Sequence, residues 1–336
     1  MKLSDCTLLI SGIDDFVGFR TAELAIAQGM KVRGLQSSAD NAKKTQNLGA
    51  EVIFGSITDP VTAQKACHGV DIVLHTAELA EEVGSIKKFR QINVDGTINI
   101  FNAAKNAGVR TFLHLSSVMV YGFNYPNNVT EEFPLSAHNN PYCLTKIEAE
   151  EALLKLNTSP DVGMIIIRVG DVYGTGSIPW VVRPLQLMRQ KLFAYINDGK
   201  GVCNHVYIDN LIDAIFLAIE KEAHGEIFNI TDGKETSWKD YFTYLAEIAG
   251  LPVDYPCLPK DELKMLVKLR HQGQKLFGKK ADIVPESLDF ISRPYAYSIA
   301  KAKTILNYQP KIDLQEGMRR TQEWLQKTDI LTCRSL

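Results

Sequence analysis

The sequence predicts an α/β fold, a doubly wound parallel sheet joined to a smaller α/β domain in its C-terminal part. Three observations carry that prediction. Short apolar runs rich in β-branched residues alternate with helix-period segments as far as Val169. A glycine-bearing turn, Ser11-Gly12-Ile13-Asp14-Asp15-Phe16-Val17-Gly18, stands between the first run and the first helix. Beyond Val169 the alternation becomes irregular, as it does where a second domain is built from interleaved segments.

Taken in order, strands are expected at 7–11, 31–35, 51–54, 71–76, 111–116 and 164–169, with helices at 16–28, 61–67, 92–107 and 142–156 between them. After these, Gly174-Thr175-Gly176-Ser177-Ile178-Pro179 reads as a loop and 211–220 as a helix returning to the sheet. From Trp238 onward helices mix with turns at Pro252, Pro256, Pro259 and Pro294. There is no Gly/Ser linker and no internal repeat. The expected division is a nucleotide-binding domain of residues 1–170 that also recruits about 203–222, and a substrate domain of 171–202 and 223–336. In such an architecture ligands lie beyond the carboxyl ends of the strands, here in the cleft between the domains.

Composition bounds the function. The chain of 336 residues is 45% hydrophobic and 23% charged, as a globular protein is, which excludes collagen-like, low-complexity and disordered classes. Its 37 Lys+Arg against 39 Asp+Glu leave a net charge of -2, too little to draw in nucleic acid. No apolar stretch reaches the roughly 18 residues of a membrane span and the start lacks a signal peptide's features, so a cytoplasmic protein is expected. The six cysteines are scattered without CxxC and the seven histidines without HExxH, so no metal site is expected.

The strand, turn and helix N-terminus around Gly12 and Gly18 suit a pyrophosphate, because free backbone N–H groups and the helix dipole both favour an anion. Asp15 stands where the middle glycine of GxxGxxG belongs, adding bulk and a like charge. Either the turn still binds a dinucleotide, more weakly, or the fold has kept its shape as a non-catalytic binding protein. A second constellation favours the first reading. Ser116-Ser117-Val118-Met119-Val120-Tyr121-Gly122 follows the fifth strand, and Tyr142-Cys143-Leu144-Thr145-Lys146 opens a later helix. The i, i+4 spacing puts Tyr142 and Lys146 on one helix face, where an ammonium lowers a phenol's pKa towards neutrality and makes it a proton donor or acceptor. Ser117 would hydrogen-bond the substrate oxygen and Lys146 would hold a cofactor ribose.

This constellation resembles the extended short-chain dehydrogenase/reductases, the NAD-dependent epimerase/dehydratase type with a Rossmann-type sheet, over nearly the whole chain. Matching stretches include Asn93-Val94-Asp95-Gly96-Thr97, Arg168-Val169-Gly170-Asp171-Val172-Tyr173-Gly174 and His205-Val206-Tyr207-Ile208-Asp209-Asn210. His75-Thr76-Ala77 and the run from Arg293-Pro294 to Glu316-Gly317 look like the 3β-hydroxysteroid or sterol dehydrogenase branch. The resemblance implies an NAD(P)-dependent oxidoreductase interconverting a secondary alcohol and a ketone, bulky and apolar, with Ser117, Tyr142 and Lys146 as a triad and Asn93 linked to a proton relay. A sugar-nucleotide epimerase or dehydratase would use the same triad. Cofactor contacts are implied for Gly12, Asp14, Asp15, Phe16, Val17, Gly18, Gln36, Ser37, Ser56, Ile57, His75, Thr76, Ala77, Val169 and Val172, besides Tyr142 and Lys146. Substrate contacts are implied for Ser117, Val118, Tyr173 and Trp180.

NADP is favoured over NAD because strand two ends in Leu35-Gln36-Ser37-Ser38 without an acidic residue, leaving Ser37, Ser38, Arg33 or Lys43 for a 2′-phosphate. Ser56 replaces the Asp that commonly contacts adenine in that family. Simpler readings stand beside these: Tyr121 as core, His75 as a hydrogen-bonded cleft residue, Cys143 as a small helix residue. Basic and apolar residues interleave over 260–280, which suits either a surface helix covering the substrate cleft, the default, or an amphipathic helix on a membrane surface. A homodimer is implied by the family's pairing of the helices at 92–107 and 142–156, the latter with Ile147, Leu153, Leu154 and Leu156 as apolar surface.

Overall fold

Seven strands form the central sheet of the chain, a computed structural model that describes residues 2–39, 42–81, 84–137, 140–157, 162–276, 285 and 287–328. They are β1 (Thr7–Ser11), β2 (Lys31–Gln36), β3 (Glu51–Phe54), β4 (Ile72–His75), β5 (Thr111–Ser117), β6 (Gly163–Val169) and β7 (Ile227–Ile230). Their order is β3-β2-β1-β4-β5-β6-β7 and every pairing is parallel. The first six are those the sequence predicts, within a residue or so at each end. The seventh is not: Ile227–Ile230 pairs with β6, so the sheet extends past the 203–222 segment expected to complete it. The strand is only four residues long and carries an Asn in its middle, which hides its apolar character from a reading by pattern.

Parallel strands joined by crossover helices bury both faces. Along β1, Leu8 and Ile10 point into one layer, the core that also holds Leu211 and Ile215 of the helix Ile208–Glu220, while Leu9 points into the other with Val73, Phe112 and Ile166. Each such aliphatic side chain is fully buried, contributing about 1.5–3 kcal/mol. The helix Phe16–Ala27 follows β1 and the helix Thr97–Asn106 follows a π-helical stretch, Arg90–Gly96, that carries Asn93. The helix Pro141–Leu156 starts sharply because Asn140 accepts from Cys143 N at 3.0 Å and Pro141 fills the first turn, which fixes the register of Tyr142 and Lys146.

The C-terminal part is built from short pieces. Asp171–Tyr173 pairs with His205–Tyr207, and Val202–Cys203 with Thr236–Ser237. Arg293, wholly buried, spans back to Asp171 just past the end of β6. The helix Lys260–Leu276 leaves Met265, Leu266 and Leu269 about half exposed, and the remainder of the 260–280 segment lies outside the described residues. Of the apolar residues expected to face a second copy, Ile147 and Leu153 are buried within the chain and Leu154 is exposed. Among the described residues no helix is long and apolar enough to cross a membrane.

Candidate active site

Beyond the carboxyl ends of β4 and β5, Tyr142 and Lys146 lie together as their spacing requires, but they meet on a third side chain. Tyr142 Oη donates to Glu78 at 3.1 and 3.2 Å, and Lys146 Nζ donates to Glu78 Oε2 at 3.0 Å. Lys146 Nζ also donates to Leu115 O at 2.6 Å, which ties the ammonium to β5 two residues before Ser117. The Ser117 side chain lies close enough to the Tyr142 phenol to act on it, and its Oγ accepts from Met119 N at 3.2 Å. Ser117, Tyr142 and Lys146 therefore converge.

Glu78 was not singled out from the sequence. It directly follows His75-Thr76-Ala77, and an acidic residue just past a strand end is the signal that was there to be read. Burial, together with its presence, corrects the expectation that Lys146 lowers the phenol's pKa. The Tyr142 hydroxyl is deeply set although the residue keeps some exposure to the cleft, and burial first, then the Glu78 charge, hold its pKa well above the usual tyrosine range; nearby Ser117 acts weakly the other way. Tyr142 is a neutral phenol and so a proton donor.

Asn93 is bound to the chain just past Glu78. Its Oδ1 accepts from Leu79 N at 2.7 Å and its Nδ2 donates to Leu79 O at 3.1 Å and to Thr145 Oγ1 at 3.1 Å. It thus clamps the residue after Glu78 to the helix of Tyr142 and has no bond to Lys146. His75 anchors the same region: Thr97 Oγ1 donates to Asn93 O at 2.7 Å, so the His75 Nε2–H donates to Thr97 at 2.8 Å and Ser11 Oγ donates to Nδ1 at 2.6 Å. Burial, then the Lys146 charge, push the imidazole down to about 3, so it is a structural residue and not an acid or base.

The turn after β1 has the backbone of a phosphate cradle. A Cβ on Gly18 would fall 2.1 Å from Gly12 O, and Gly12 has φ +77° with the Ala77 backbone 3.0 Å from where its Cβ would sit. Asp15 occupies the N-cap of the helix Phe16–Ala27 yet makes no side-chain bond to its first N–H groups, which leaves those donors for an anion. These residues fit a dinucleotide's pyrophosphate. The Asp15 carboxylate nevertheless stands over Gly12, with Oδ2 2.9 Å from the same Cβ position. The residue opens to the cleft, but the walls around its carboxyl, and then the charges of Asp14 and Glu78, push it up to about 6. Burial likewise raises half-buried Asp14, and Phe16 and Val17, the two residues after Asp15, pack onto the core.

At the adenosine end, Gln36 is buried and turned onto its own loop, donating to Ser38 O at 2.6 Å and accepting from Thr45 Oγ1 at 2.9 Å, while Ser37 is exposed. Arg33 is committed elsewhere, to Glu51, Ala66 O and His68 O. Ser56 Oγ pairs with Thr58, and Ile57 is buried beneath it. Thr76 Oγ1 donates to Ser11 O at 2.6 Å, holding β1 against the chain that leads through Ala77 to Glu78.

On the substrate side the residues differ in burial. Tyr173 is wholly buried among His205, Tyr207 and Tyr241, and Val118 is 1% exposed, so both are core; the bulk that suits a pocket suits an aromatic core equally. Val169 is buried and Val172 half-buried at the end of β6. Trp180 is half-buried and stacks with Phe290 at 5.6 Å and Trp238 at 5.1 Å. Tyr121 is core, as the simpler reading has it, with its hydroxyl bonded to Asn229 and Arg168. The Cys143 thiol, pushed up to about 12 by burial, is inert.

A model of the NAD dependent epimerase/dehydratase family matches residues 8–231. A ketoreductase of Stigmatella aurantiaca acting on a 4-farnesyl-dihydroquinoline-1-oxide is 24% identical, over 92% of this chain and 93% of that protein. The decarboxylating sterol-4-alpha-carboxylate 3-dehydrogenase of Dictyostelium discoideum is 28% identical, over 93% of this chain and 98% of its own length. Among solved structures, a UDP-glucose 4-epimerase of Thermotoga maritima with UDP-glucose superposes with a TM-score of 0.76 at 23% identity, covering 96% of this chain and 99% of its own. That last likeness establishes the fold.

Proposed function

The chain belongs to the NAD-dependent epimerase/dehydratase family of enzymes, and from that premise we propose that it interconverts a bulky apolar ketone and its secondary alcohol with Ser117, Tyr142 and Lys146 as its machinery. The observation that carries this is the convergence of Tyr142 Oη, Lys146 Nζ and the Ser117 hydroxyl beside the glycine turn. A bound nicotinamide dinucleotide supplies the hydride. Ser117 orients the substrate oxygen, and Tyr142, a neutral phenol, delivers its proton to that oxygen in the reducing direction. Lys146 has three N–H donors, of which Leu115 O and Glu78 take two, so the third is left for a ribose hydroxyl.

The apolar character of the substrate is supported by two relatives whose names specify a sterol and a farnesylated ring. Arg293 supports it as well: the guanidinium beside the end of β6 is fully buried on Asp171 and unavailable to a nucleoside diphosphate. The first test is consumption of NADPH or NADH with cholestanone, and its formation with cholestanol. Stoichiometric turnover of either cofactor upholds the reading and gives the preference, for which the exposed Ser37 favours NADP. Conversion of a UDP-sugar without net cofactor turnover would replace it with an epimerase. A two-fold dimer through the helix Pro141–Leu156 and its exposed Leu154 belongs to the same reading, and a monomer in sedimentation would remove it. The helix Lys260–Leu276 covers the substrate cleft in this reading, with Met265, Leu266 and Leu269 on its solvated face; sedimentation with anionic vesicles would instead place them on a membrane surface.

A further inference from the structure

We propose that Glu78 is the proton relay of this site, carrying protons between solvent and the Tyr142 hydroxyl, and that Asn93 is the residue that positions it. The proposal rests on the reading of Tyr142 as the acid. Three observations support it. Both carboxylate oxygens of Glu78 accept from Tyr142 Oη, at 3.2 and 3.1 Å, so the acid has a proton partner already in contact. The Glu78 side chain is 29% exposed whereas that of Lys146 is 3% exposed, so the carboxylate and not the ammonium reaches water. Asn93 grips Leu79 by both its N–H and its carbonyl and has no bond to Lys146, so the residue that the resemblance links to proton relay here acts on the Glu78 loop.

The proton balance is simple. As the Tyr142 O–H bond breaks, a new O–H bond forms on the substrate oxygen and a phenolate remains. Glu78 takes a proton from solvent as its carboxyl O–H forms; that bond breaks when the phenolate O–H is restored. One solvent proton is consumed for each substrate oxygen protonated, and the oxidising direction runs the same steps in reverse. Lys146, bonded to the same carboxylate at 3.0 Å, holds it in place and offsets the charge when Glu78 and the phenolate face each other.

Two readouts test this. Ultraviolet titration of tyrosinate, taken as the difference between the wild-type chain and Tyr142→Phe, reports this phenol without any ligand. Glu78→Gln should lower its midpoint by about one pH unit or more, since the charge that opposes ionisation is gone. With cholestanone and NADH or NADPH, Glu78→Gln should lower kcat by on the order of tenfold to a hundredfold while KM and dinucleotide affinity stay within about twofold. Glu78→Asp should recover part of the loss, and formate should partly rescue Glu78→Gly, which a merely structural role would not allow. An unmoved tyrosinate midpoint overturns the proposal. So does a Glu78→Gln chain that binds the dinucleotide more tightly and keeps or raises kcat, because the carboxylate would then be competing with the cofactor. If the wild-type chain turns over no ketone, the functional reading fails by itself; the tyrosinate midpoint then still decides whether Glu78 is the proton partner of Tyr142.

Discussion

Arg293 Nη2 lies 2.9 Å from Asp171 Oδ2, and both side chains are 2% exposed or less. The guanidinium also donates to Phe290 O and Tyr297 Oη and lies over the Phe290 ring, so the pair pins the C-terminal part to the end of β6. Asp171→Ala leaves a buried cation without its partner and should cost about 3–5 kcal/mol in denaturant unfolding. A loss below about 1 kcal/mol would show that water or a neighbour replaces the carboxylate.

Tyr142→Phe removes the proton and little else. Turnover of cholestanone should fall by about a hundredfold or more, with dinucleotide affinity by calorimetry within about threefold of wild type. Retained turnover would move the acid to another group.

Asp15 makes cofactor binding depend on pH. Its carboxyl titrates near 6, and an incoming pyrophosphate favours the neutral form, so dinucleotide affinity should rise as pH falls through about 6. The nearby acids Asp14 and Glu78 add to the like charge. Asp15→Gly should tighten binding at neutral pH by on the order of tenfold and flatten the dependence, measured by calorimetry on either side of that midpoint.

Acid should destabilise the fold through two stacked imidazoles, His75 and His114, whose ring centroids are 5.4 Å apart. Burial lowers both, His75 to about 3 against an unfolded value of 6.5. The unfolded chain therefore takes up protons below about pH 6.5 before the folded chain does, and their contribution to stability is lost as pH falls from there towards 3. Asp15, raised from 3.8, acts in the opposite sense over part of that range, but it opens to solvent and weighs less. Neither ring nitrogen of His114 has a hydrogen-bond partner. His114→Leu should accordingly raise stability by about 1–3 kcal/mol and reduce the acid slope in denaturant titrations at several pH values.

Six of the seven strands and the helix that carries Tyr142 and Lys146 were legible because their periodicity and caps are local. That Tyr142 and Lys146 lie together was legible because an i, i+4 spacing fixes which side chains share a face. What the sequence concealed depends on distance. Glu78 lies 64 residues from Tyr142, and it takes the β4–β5 pairing and the Asn93 contacts to Leu79 and Thr145 to bring them together. Tyr173 reads as a pocket residue by its place after β6 and is core because His205, Tyr207 and Tyr241 close over it. Burial, and after it the charge on Glu78, raise the phenol's pKa where the spacing to Lys146 predicts a fall, which no one-dimensional spacing reports.

Asn93 bonds Leu79 through donor and acceptor alike, as an adjacent strand's main chain would. One side-chain amide thereby prolongs the β4 ladder past its last residue, along a stretch that has no neighbouring strand to pair with. The conformational entropy of that stretch is surrendered during folding, when Asn93 docks with the rest of its helix, and not when a ligand arrives. Shortening Asn93 would therefore return a rigid shelf to the behaviour of a loop, and ligands would have to order it afresh at each encounter.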